Sequence, residues 1–227
     1  MLRGRIATVG WMFAVWGCGA THGMTAASAT QVPAGTHDTT TSTRDTSETT
    51  LVPAGYGTLH QDDLALHVDG PGVLVRALPL DESIIRLLTP DSYRALRDLQ
   101  VSHRDDVDAI ARRNGGRVVS VWLVSFYGLT PDARFTPLDV LVTSGGREFR
   151  AYDVIPLTIG FGEQRLKQRD TQSALYVYDG DVEVDQPLTV TYAGAKDESW
   201  EQTLQRIERE RAMVRARAIR RENHVAP

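Results

Sequence analysis

Four acidic residues alternate with other residue types along one short stretch of the chain, and carboxylate oxygens at that density could bind Ca²⁺. They are Asp179, Asp181, Glu183 and Asp185. The stretch departs from an EF-hand loop, because Gly180 directly follows the first aspartate. In an extended strand the four carboxylates would share a face but spread over about 20 Å, which is too far for one ion. We interpret the stretch as a solvated turn between strands and predict no metal site and no cofactor.

The histidines and serines show no spacing that is typical of catalysis. The 6 histidines lie far apart, and the sequence contains neither an H-E-x-x-H zinc motif nor a G-x-S-x-G nucleophile motif. A Ser-His-Asp triad could still be assembled from distant residues, so a hydrolase stays open as an alternative. We predict a protein without catalytic residues.

The single cysteine, Cys18, lies at the end of an apolar N-terminal stretch. Arg3 and Arg5 precede this stretch, and residues 6–16 carry no charge. An uncharged run of this length is too short to span a bilayer, which takes about 20 residues, but it is typical of an export signal. One cysteine also excludes a disulfide within the chain and a cysteine-rich zinc site. The chain is therefore predicted to be exported.

The end of this signal, Val15–Cys18 (Val-Trp-Gly-Cys), resembles the lipobox of bacterial lipoproteins. In that family a branched or long apolar residue and two small residues precede the cysteine that receives the lipid; Val15 and Gly17 match the first and third positions, and Trp16 departs from the second. The resemblance implies that residues 1–18 are a signal peptide and that Cys18 carries acyl chains. The membrane would then be a partner through a lipid anchor, and the protein would lie at the outer membrane or in the periplasm. An alternative is cleavage after Ala29, within Ala-Ser-Ala, which would release a soluble secreted protein.

Residues 19–55 are rich in threonine, serine and glycine and contain few apolar residues. Such a segment cannot bury enough apolar surface to offset the conformational entropy lost on folding, so it is predicted to be disordered. A flexible chain of this length reaches roughly 35 Å. We interpret it as a tether that holds a folded domain away from the membrane or, without a lipid, as an unstructured N-terminus.

The rest of the chain predicts mainly short strands separated by turns. Apolar and polar residues alternate with a period of two at 64–69, and turn residues then lead to a second strand at 73–78. The most apolar run, 118–127, is rich in β-branched and aromatic residues, which predicts a central strand. Further strands are predicted at 138–143, 147–154, 165–169, 174–178 and 188–192, and alternating basic residues place the strand at 165–169 on an exposed edge.

Helices are predicted in two regions. Thr89 followed by Pro90 is typical of a helix start, and Asn-Gly-Gly at 114–116 of a helix end, so we expect short helices at 90–99 and 103–113. A C-terminal helix is expected at 197–223, because its first turn is acidic and its last turn basic. Its apolar stripe predicts that the first half packs on the strands and that the second half is solvated.

Short strands at near-regular spacing favour a sandwich or a barrel. The stretches 137–157 and 172–192 resemble the immunoglobulin-like domains of uncharacterised exported bacterial proteins in their pattern of strands and turns. The resemblance implies a mainly β fold: an immunoglobulin-like β-sandwich over 56–193, with a helical insertion at 90–113 and a C-terminal helix at 197–223.

The formal net charge of −4 excludes a typical nucleic-acid binder, which would be strongly basic. We predict a cell-envelope protein with a structural or protein-interaction role, no catalysis, and another envelope protein as its partner. The alternative is a periplasmic ligand-binding module, in which the helical insertion forms a pocket with Trp122 or Tyr127.

Overall fold

The computed structural model describes residues 51–225, which form antiparallel strands and four α-helices. In chain order these elements are β1 Leu66–Gly70, β2 Val73–Pro79, α1 Glu82–Ile85, α2 Pro90–Ser102, α3 Arg104–Arg113, β3 Val119–Gly128, β4 Ala133–Arg134, β5 Leu141–Ser144, β6 Arg147–Pro156, β7 Arg165–Leu166, β8 Thr171–Asp179, β9 Leu188–Tyr192, β10 Ala195–Asp197 and α4 Trp200–Val225. The prediction of a mainly β fold with a C-terminal helix is confirmed.

Eight strands form one antiparallel sheet in the order β1-β2-β3-β8-β6-β5-β9-β10. The strand predicted from the most apolar run, β3, pairs with β2 on one side and with β8 on the other. Its side chains alternate between the two faces of the sheet, and Trp122, Val124 and Phe126 are fully buried on one of them. The β1–β2 and β5–β6 hairpins form where turn residues predicted them.

The sheet curls until its two end strands meet, which gives it a nearly barrel-like shape. The backbone N–H of His67 on β1 donates to the Asp197 carboxylate on β10 at 2.7 Å. Gly70 on β1 faces the Tyr192 ring, and a Cβ there would lie 2.6 Å from the ring carbons, so this approach requires glycine. The bend lies in β6, which pairs with β5 before a bulge at residue 152 and mainly with β8 after it.

Aromatic side chains fill the inside of the curled sheet. The rings of Phe126 and Phe135 stack with their centroids 4.3 Å apart. Nearer the other end of β3, Trp122 packs edge-on against Tyr178 at 6.0 Å. Such pairs stabilise the core beyond the burial of their surface, by about 0.5–1.5 kcal/mol each.

The helical insertion is present, with both helices close to their predicted bounds. Pro90 lies in the first turn of α2 directly after the N-cap residue Thr89, where its missing N–H is not needed. A short helix, α1, precedes the insertion and was not predicted. The Asp81 carboxylate caps it by accepting from the Ser83 backbone N–H at 2.8 Å. Four residues are too few to show a helical period in the sequence.

The C-terminal helix begins three residues later than predicted, at Trp200. The preceding residues form β10, which pairs with β9 through a tight turn whose Ala193 and Gly194 have φ of 48° and 86°. Turns of this type usually contain Asn-Gly, so the sequence signal was weak. The prediction of a solvated second half is wrong, because Val214 and Ala218 are buried. Helix α4 packs along most of its length.

The predicted edge strand at 165–169 is mostly a turn. Only its first two residues are extended, and they pair with β4 in a separate two-stranded sheet. Arg169 has φ of 65°, and its N–H donates to the Gly128 carbonyl at 2.8 Å. The alternating pattern arose because Leu166 alone is buried between exposed charged residues.

Residues 51–59, which we call the N-terminal strap, lie against the domain. Val52 is 3% exposed and belongs to the core. The Leu59 N–H donates to the Leu87 carbonyl at 3.2 Å, and the Thr89 N–H donates to the Leu59 carbonyl at 2.9 Å. Val52 lies three residues before the boundary that composition placed at residue 55, so core packing reaches into the end of the Thr-rich segment.

Candidate functional site

A cleft of about 270 Å³ opens where the helical insertion meets one end of the sheet. Its walls come from the segment between β2 and α1, from α2 and α3, from the start of β3, and from the stretch that follows β8. The alternative function considered from the sequence places a ligand pocket under the helical insertion, and the cleft lies there.

Apolar side chains form much of the cleft wall. Helix α3 contributes Val107 and Ala111, and strand β3 contributes Val119 and Trp122. Trp122 is 1% exposed, so almost none of its side chain is accessible to a ligand in the cleft. Val118, at the rim, is 37% exposed. An apolar recess that stays open to solvent is the usual setting of a binding site.

Glu82, at the start of α1, connects the helices that surround the cleft. Its Oε2 accepts from Arg86 Nε at 2.8 Å and from the Tyr93 hydroxyl at 3.4 Å. Arg97 Nε lies 3.1 Å from Oε1, but not in the direction of a hydrogen bond, so this buried oxygen has no donor among the described residues. Burial, and then the Glu82 carboxylate, raise the pKa of Tyr93.

Three further contacts hold the insertion over the end of the sheet. Asp179 accepts from Asn114 Nδ2 at 2.7 Å and pairs with Arg117 Nη1 at 3.3 Å. Gln100 of α2 donates from Nε2 to the Leu80 carbonyl at 2.8 Å. These bonds join the insertion to the chain on both sides of the cleft. The cleft is therefore held in shape by contacts of the folded domain.

The four alternating acidic residues do not converge on one point. Asp179 makes the contacts just described, Asp181 lines the cleft, and Glu183 and Asp185 are exposed. The two valines between these acids are buried, which is the alternation of an extended chain at a surface. Within the described residues, no three His, Cys, Asp or Glu side chains form a group that could hold a metal ion.

The two aromatic residues predicted to bind a ligand are separated. Trp122 lies in the cleft wall, whereas Tyr127 lies further along β3, opposite Leu74 and Thr171 on the neighbouring strands. Five residues of extended strand separate the two by about 16 Å and turn them to opposite faces of the sheet. Tyr127 is not part of this cleft.

The described histidines show no Ser-His-Asp arrangement. His103 Nδ1 lies 3.2 Å from the Asp106 carboxylate, and His224 Nδ1 lies 2.9 Å from the Arg220 carbonyl, with no serine at either ring. Cys18, the signal, and the alternative cleavage site lie outside the described residues. Among the residues that are described, no helix has the length and apolar character needed to cross a membrane.

Sequence reasoning did not connect several polar residues that line the cleft, among them Glu82, Arg97, Gln100 and Asp108. They belong to three helices that meet only in the folded chain, so no local spacing joins them. One sequence signal for the cleft was available on α3, where the helical spacing of Val107, Asp108 and Ala111 places them on one face of the helix.

In comparisons with known proteins, no protein-family model, curated protein or solved structure matches this chain. The fold and the cleft therefore carry the functional argument by themselves. They define a β-rich domain with a small, partly apolar recess held open by a pair of helices.

Proposed function

We propose that the folded domain is a non-catalytic interaction module. It would bind a small part of a partner protein in the cleft under the helical insertion. The cleft itself carries this proposal, because it is an open recess with apolar walls and a few charged groups. Sites that enclose drug-sized ligands measure about 300–1,000 Å³. A volume of about 270 Å³ suits one side chain or a short peptide segment better than a whole cofactor.

We propose further that the module works in the cell envelope, at the outer membrane or in the periplasm, with another envelope protein as its partner. The apolar N-terminal stretch and the lipobox-like residues before Cys18 support export and lipid anchoring. The Thr-rich segment that follows would act as the tether. An immunoglobulin-like sandwich is the finer fold hypothesis, and the pattern of strands and turns at 137–157 and 172–192 supports it.

A second candidate is a periplasmic module that binds a small free ligand in the same cleft. The observation that favours it is Glu82 Oε1, a buried oxygen that is ion-paired with Arg97 at 3.1 Å but accepts no hydrogen bond from the described residues. A buried acceptor normally has a hydrogen-bond partner, and an N–H or O–H of a ligand would supply one.

The cleft is tested with a photo-cross-linking amino acid at Val118, on the rim, in cells of the source organism. Leu138, which is 62% exposed and not part of the cleft, carries the same group as a control. We expect a discrete cross-linked protein from position 118 only. Val107→Trp fills the cleft and should abolish that product. Val101→Trp, on the exposed side of α2, should retain it.

Two outcomes would contradict the cleft proposal. Equal cross-linking from positions 118 and 138 would show that the contact is non-specific. A product that survives Val107→Trp would show that the partner binds beside the cleft without entering it. Retention of the native thermal midpoint in both tryptophan variants is the control for folding.

Lipid anchoring is tested by Cys18→Ser and cell fractionation. We expect the wild-type protein in the membrane fraction and the variant in the soluble fraction, because acyl chains provide the membrane affinity. Mass spectrometry of the mature N-terminus separates the alternatives. A diacylated or triacylated Cys18 supports the anchor, and a mature chain that begins at Thr30 shows secretion after cleavage at Ala29.

A further inference from the structure

The solvent-exposed face of α4 is basic along its second half. The helix contains seven arginines and four glutamates, in a chain whose formal net charge is −4. Four of these arginines have exposed side chains, and all four lie in the second half of the helix: Arg209, Arg215, Arg220 and Arg221. One helix of an acidic protein therefore carries a local excess of positive charge.

Two of the glutamates on α4 do not neutralise these exposed arginines. Glu210 is buried and accepts from Arg217 Nη1 at 2.7 Å. Glu208 is exposed and pairs with Arg211 at 2.5 Å. The side chains of Arg215 and Arg220 form no hydrogen bond or ion pair with any residue that the structure describes. Their charges are therefore directed to solvent.

Apolar side chains lie between the exposed arginines. Arg209, Met213, Ala216 and Arg220 follow one another at intervals of four, three and four residues, which places them on one face of the helix. Met213 is 46% exposed and Ile219 is 57% exposed. Apolar side chains among arginines on the open face of a helix are typical of a helix that lies at a membrane surface.

The strap enters the domain beside this part of α4. The Tyr56 carbonyl accepts from Arg217 Nη1 at 2.8 Å, and the Arg221 guanidinium lies 5.8 Å from the centroid of the Tyr56 ring. Residues 19–50 connect the strap to Cys18. A lipid on Cys18 would therefore be attached on the side of the domain that carries the arginines.

We infer that the exposed face of α4 binds the anionic surface of the membrane, an inference that rests on the proposed lipid anchor. The arginines pair with lipid phosphates, and Met213 and Ile219 contact the boundary between headgroups and acyl chains. A second copy of the chain is a poorer occupant, because it would bring like charges together. Attraction of this kind is too weak to retain the protein by itself, but it orients a domain that is already anchored.

Vesicle sedimentation tests this contact in the absence of the lipid anchor. The protein used is the chain 19–227, which lacks the predicted signal peptide and Cys18 but retains every described residue. The vesicles contain phosphatidylcholine alone, or phosphatidylcholine and phosphatidylglycerol in equal parts. We expect sedimentation with the anionic vesicles only, and its loss at about 0.5 M salt, because salt screens exposed charges.

Two matched triple variants test the position of the contact. The first replaces three exposed arginines of α4 and should weaken binding to anionic vesicles by at least about tenfold: Arg209→Gln, Arg215→Gln and Arg220→Gln. The second changes the net charge equally at exposed residues outside α4 and should bind within about twofold of the unchanged chain: Arg104→Gln, Arg112→Gln and Lys167→Gln.

A fluorescent label at Ile219 tests the apolar part of the contact. Cys18 is the single cysteine of the sequence, so the chain 19–227 contains none and one new cysteine can be labelled selectively. Ile219→Cys carries an environment-sensitive fluorophore, and Ile159→Cys, in the loop after β6 where Ile159 is fully exposed, is the control. We expect a blue shift of the emission on anionic vesicles from position 219 only.

Three results would overturn the inference. They are equal sedimentation with both kinds of vesicle, equal binding by the two triple variants, and a blue shift at position 219 with dextran sulfate as large as with anionic vesicles. The last result would show a general polyanion site. The comparison of vesicles needs no variant, so it decides the question even if a triple variant fails to fold.

The same measurements keep this inference separate from the proposed function. If the chain fails to bind anionic vesicles while mass spectrometry shows an acylated Cys18, the inference is wrong and the anchor is supported. If the chain binds these vesicles while Cys18 is not acylated, the membrane contact of α4 is supported and the anchor is wrong. Cross-linking from position 118 tests the cleft independently of both.

Discussion

At the residue scale, two tyrosines on β8 allow a comparison of two buried hydroxyls, one with a hydrogen-bond partner and one without a partner among the described residues. Tyr176 and Tyr178 are both fully buried, and burial raises the pKa of each well above its usual range, so both stay protonated. The Tyr176 hydroxyl donates to the Pro137 carbonyl at 2.9 Å. The Tyr178 hydroxyl has no partner among the described residues. The two hydroxyls should therefore differ in their effect on stability.

Replacing each tyrosine by phenylalanine measures that difference. We expect Tyr176→Phe to lower the free energy of unfolding by about 1 kcal/mol, because it removes a buried hydrogen bond and leaves the Pro137 carbonyl with only the 3.4 Å bond from the Val140 N–H. Tyr178→Phe should be neutral or stabilise the fold by up to about 1 kcal/mol, because it removes an unpaired buried hydroxyl. Urea denaturation monitored by fluorescence provides both values. Equal destabilisation by the two changes would show that the Tyr178 hydroxyl has a hydrogen-bond partner.

At the scale of elements, hydrogen bonds to one buried carboxylate connect the N-terminal strap to α4. Glu210, on α4, is 2% exposed. Its Oε1 accepts from the Thr58 N–H at 2.8 Å, from the Thr58 hydroxyl at 2.9 Å and from Arg217 Nη1 at 2.7 Å. Arg217 Nη1 also donates to the Tyr56 carbonyl at 2.8 Å. The strap is therefore bound by polar contacts as well as by the burial of Val52.

Removing this carboxylate should destabilise the domain. We expect Glu210→Ala to lower the free energy of unfolding by about 1–3 kcal/mol, because it removes three hydrogen bonds to a buried carboxylate, while the donors Thr58 and Arg217 can still be solvated in part. Glu210→Gln should cost less, because its amide oxygen can still accept from Thr58. Glu208→Ala, which alters an exposed glutamate on the same helix, is the control and should cost under about 1 kcal/mol.

Thermal unfolding of these variants provides the measurement. If the two alanine variants at 208 and 210 unfold at the same temperature, the strap is not held by Glu210. A second check is protease cleavage within residues 51–59, which should become faster in Glu210→Ala and stay unchanged in the Glu208 control.

At the scale of the whole molecule, the strap decides where the domain begins. Its two buried apolar residues, Val52 and Leu59, belong to the core, and Leu59 forms a parallel bridge to Leu88. Residues 19–50 are predicted from composition to add little apolar surface, and residues 1–18 are predicted to be a signal peptide. Stability should therefore depend on the strap and not on the chain before it.

Two deletions test that boundary. Removing residues 1–50 should change the thermal midpoint by no more than about 2 °C. Removing residues 1–59 takes away two buried side chains and several hydrogen bonds, a loss of about 5 kcal/mol, and should lower the midpoint by about 10–20 °C. Calorimetry of both chains provides the comparison. A 1–59 deletion that is as stable as the 1–50 deletion would show that the strap is not part of the folded domain.

Much of the local structure followed from the sequence alone, because the responsible forces act between near neighbours. Period-2 alternation and turn residues predicted the β1–β2 hairpin, and Pro90 after Thr89 predicted the start of α2. The most apolar run of the folded region, 118–127, predicted a central strand, and β3 pairs on both sides. Where a local signal was weak or ambiguous, the prediction was wrong, as at residues 165–169, where one buried leucine among charged residues imitated an edge strand.

The tertiary structure determined the features that no local sequence pattern contains, which are the cleft, the burial of Glu210 and the curl of the sheet. The cleft joins polar residues of three helices to the start of β3, and the distances between them depend on how the insertion packs over the sheet. Burial of Glu210 was equally invisible, since its donors Thr58 and Arg217 include a residue 152 positions away. Curling of the sheet follows from a bend in β6 and from the close approach at Gly70. Short-range propensity sets which residues form each strand and helix, whereas only long-range packing sets which side chains share a site.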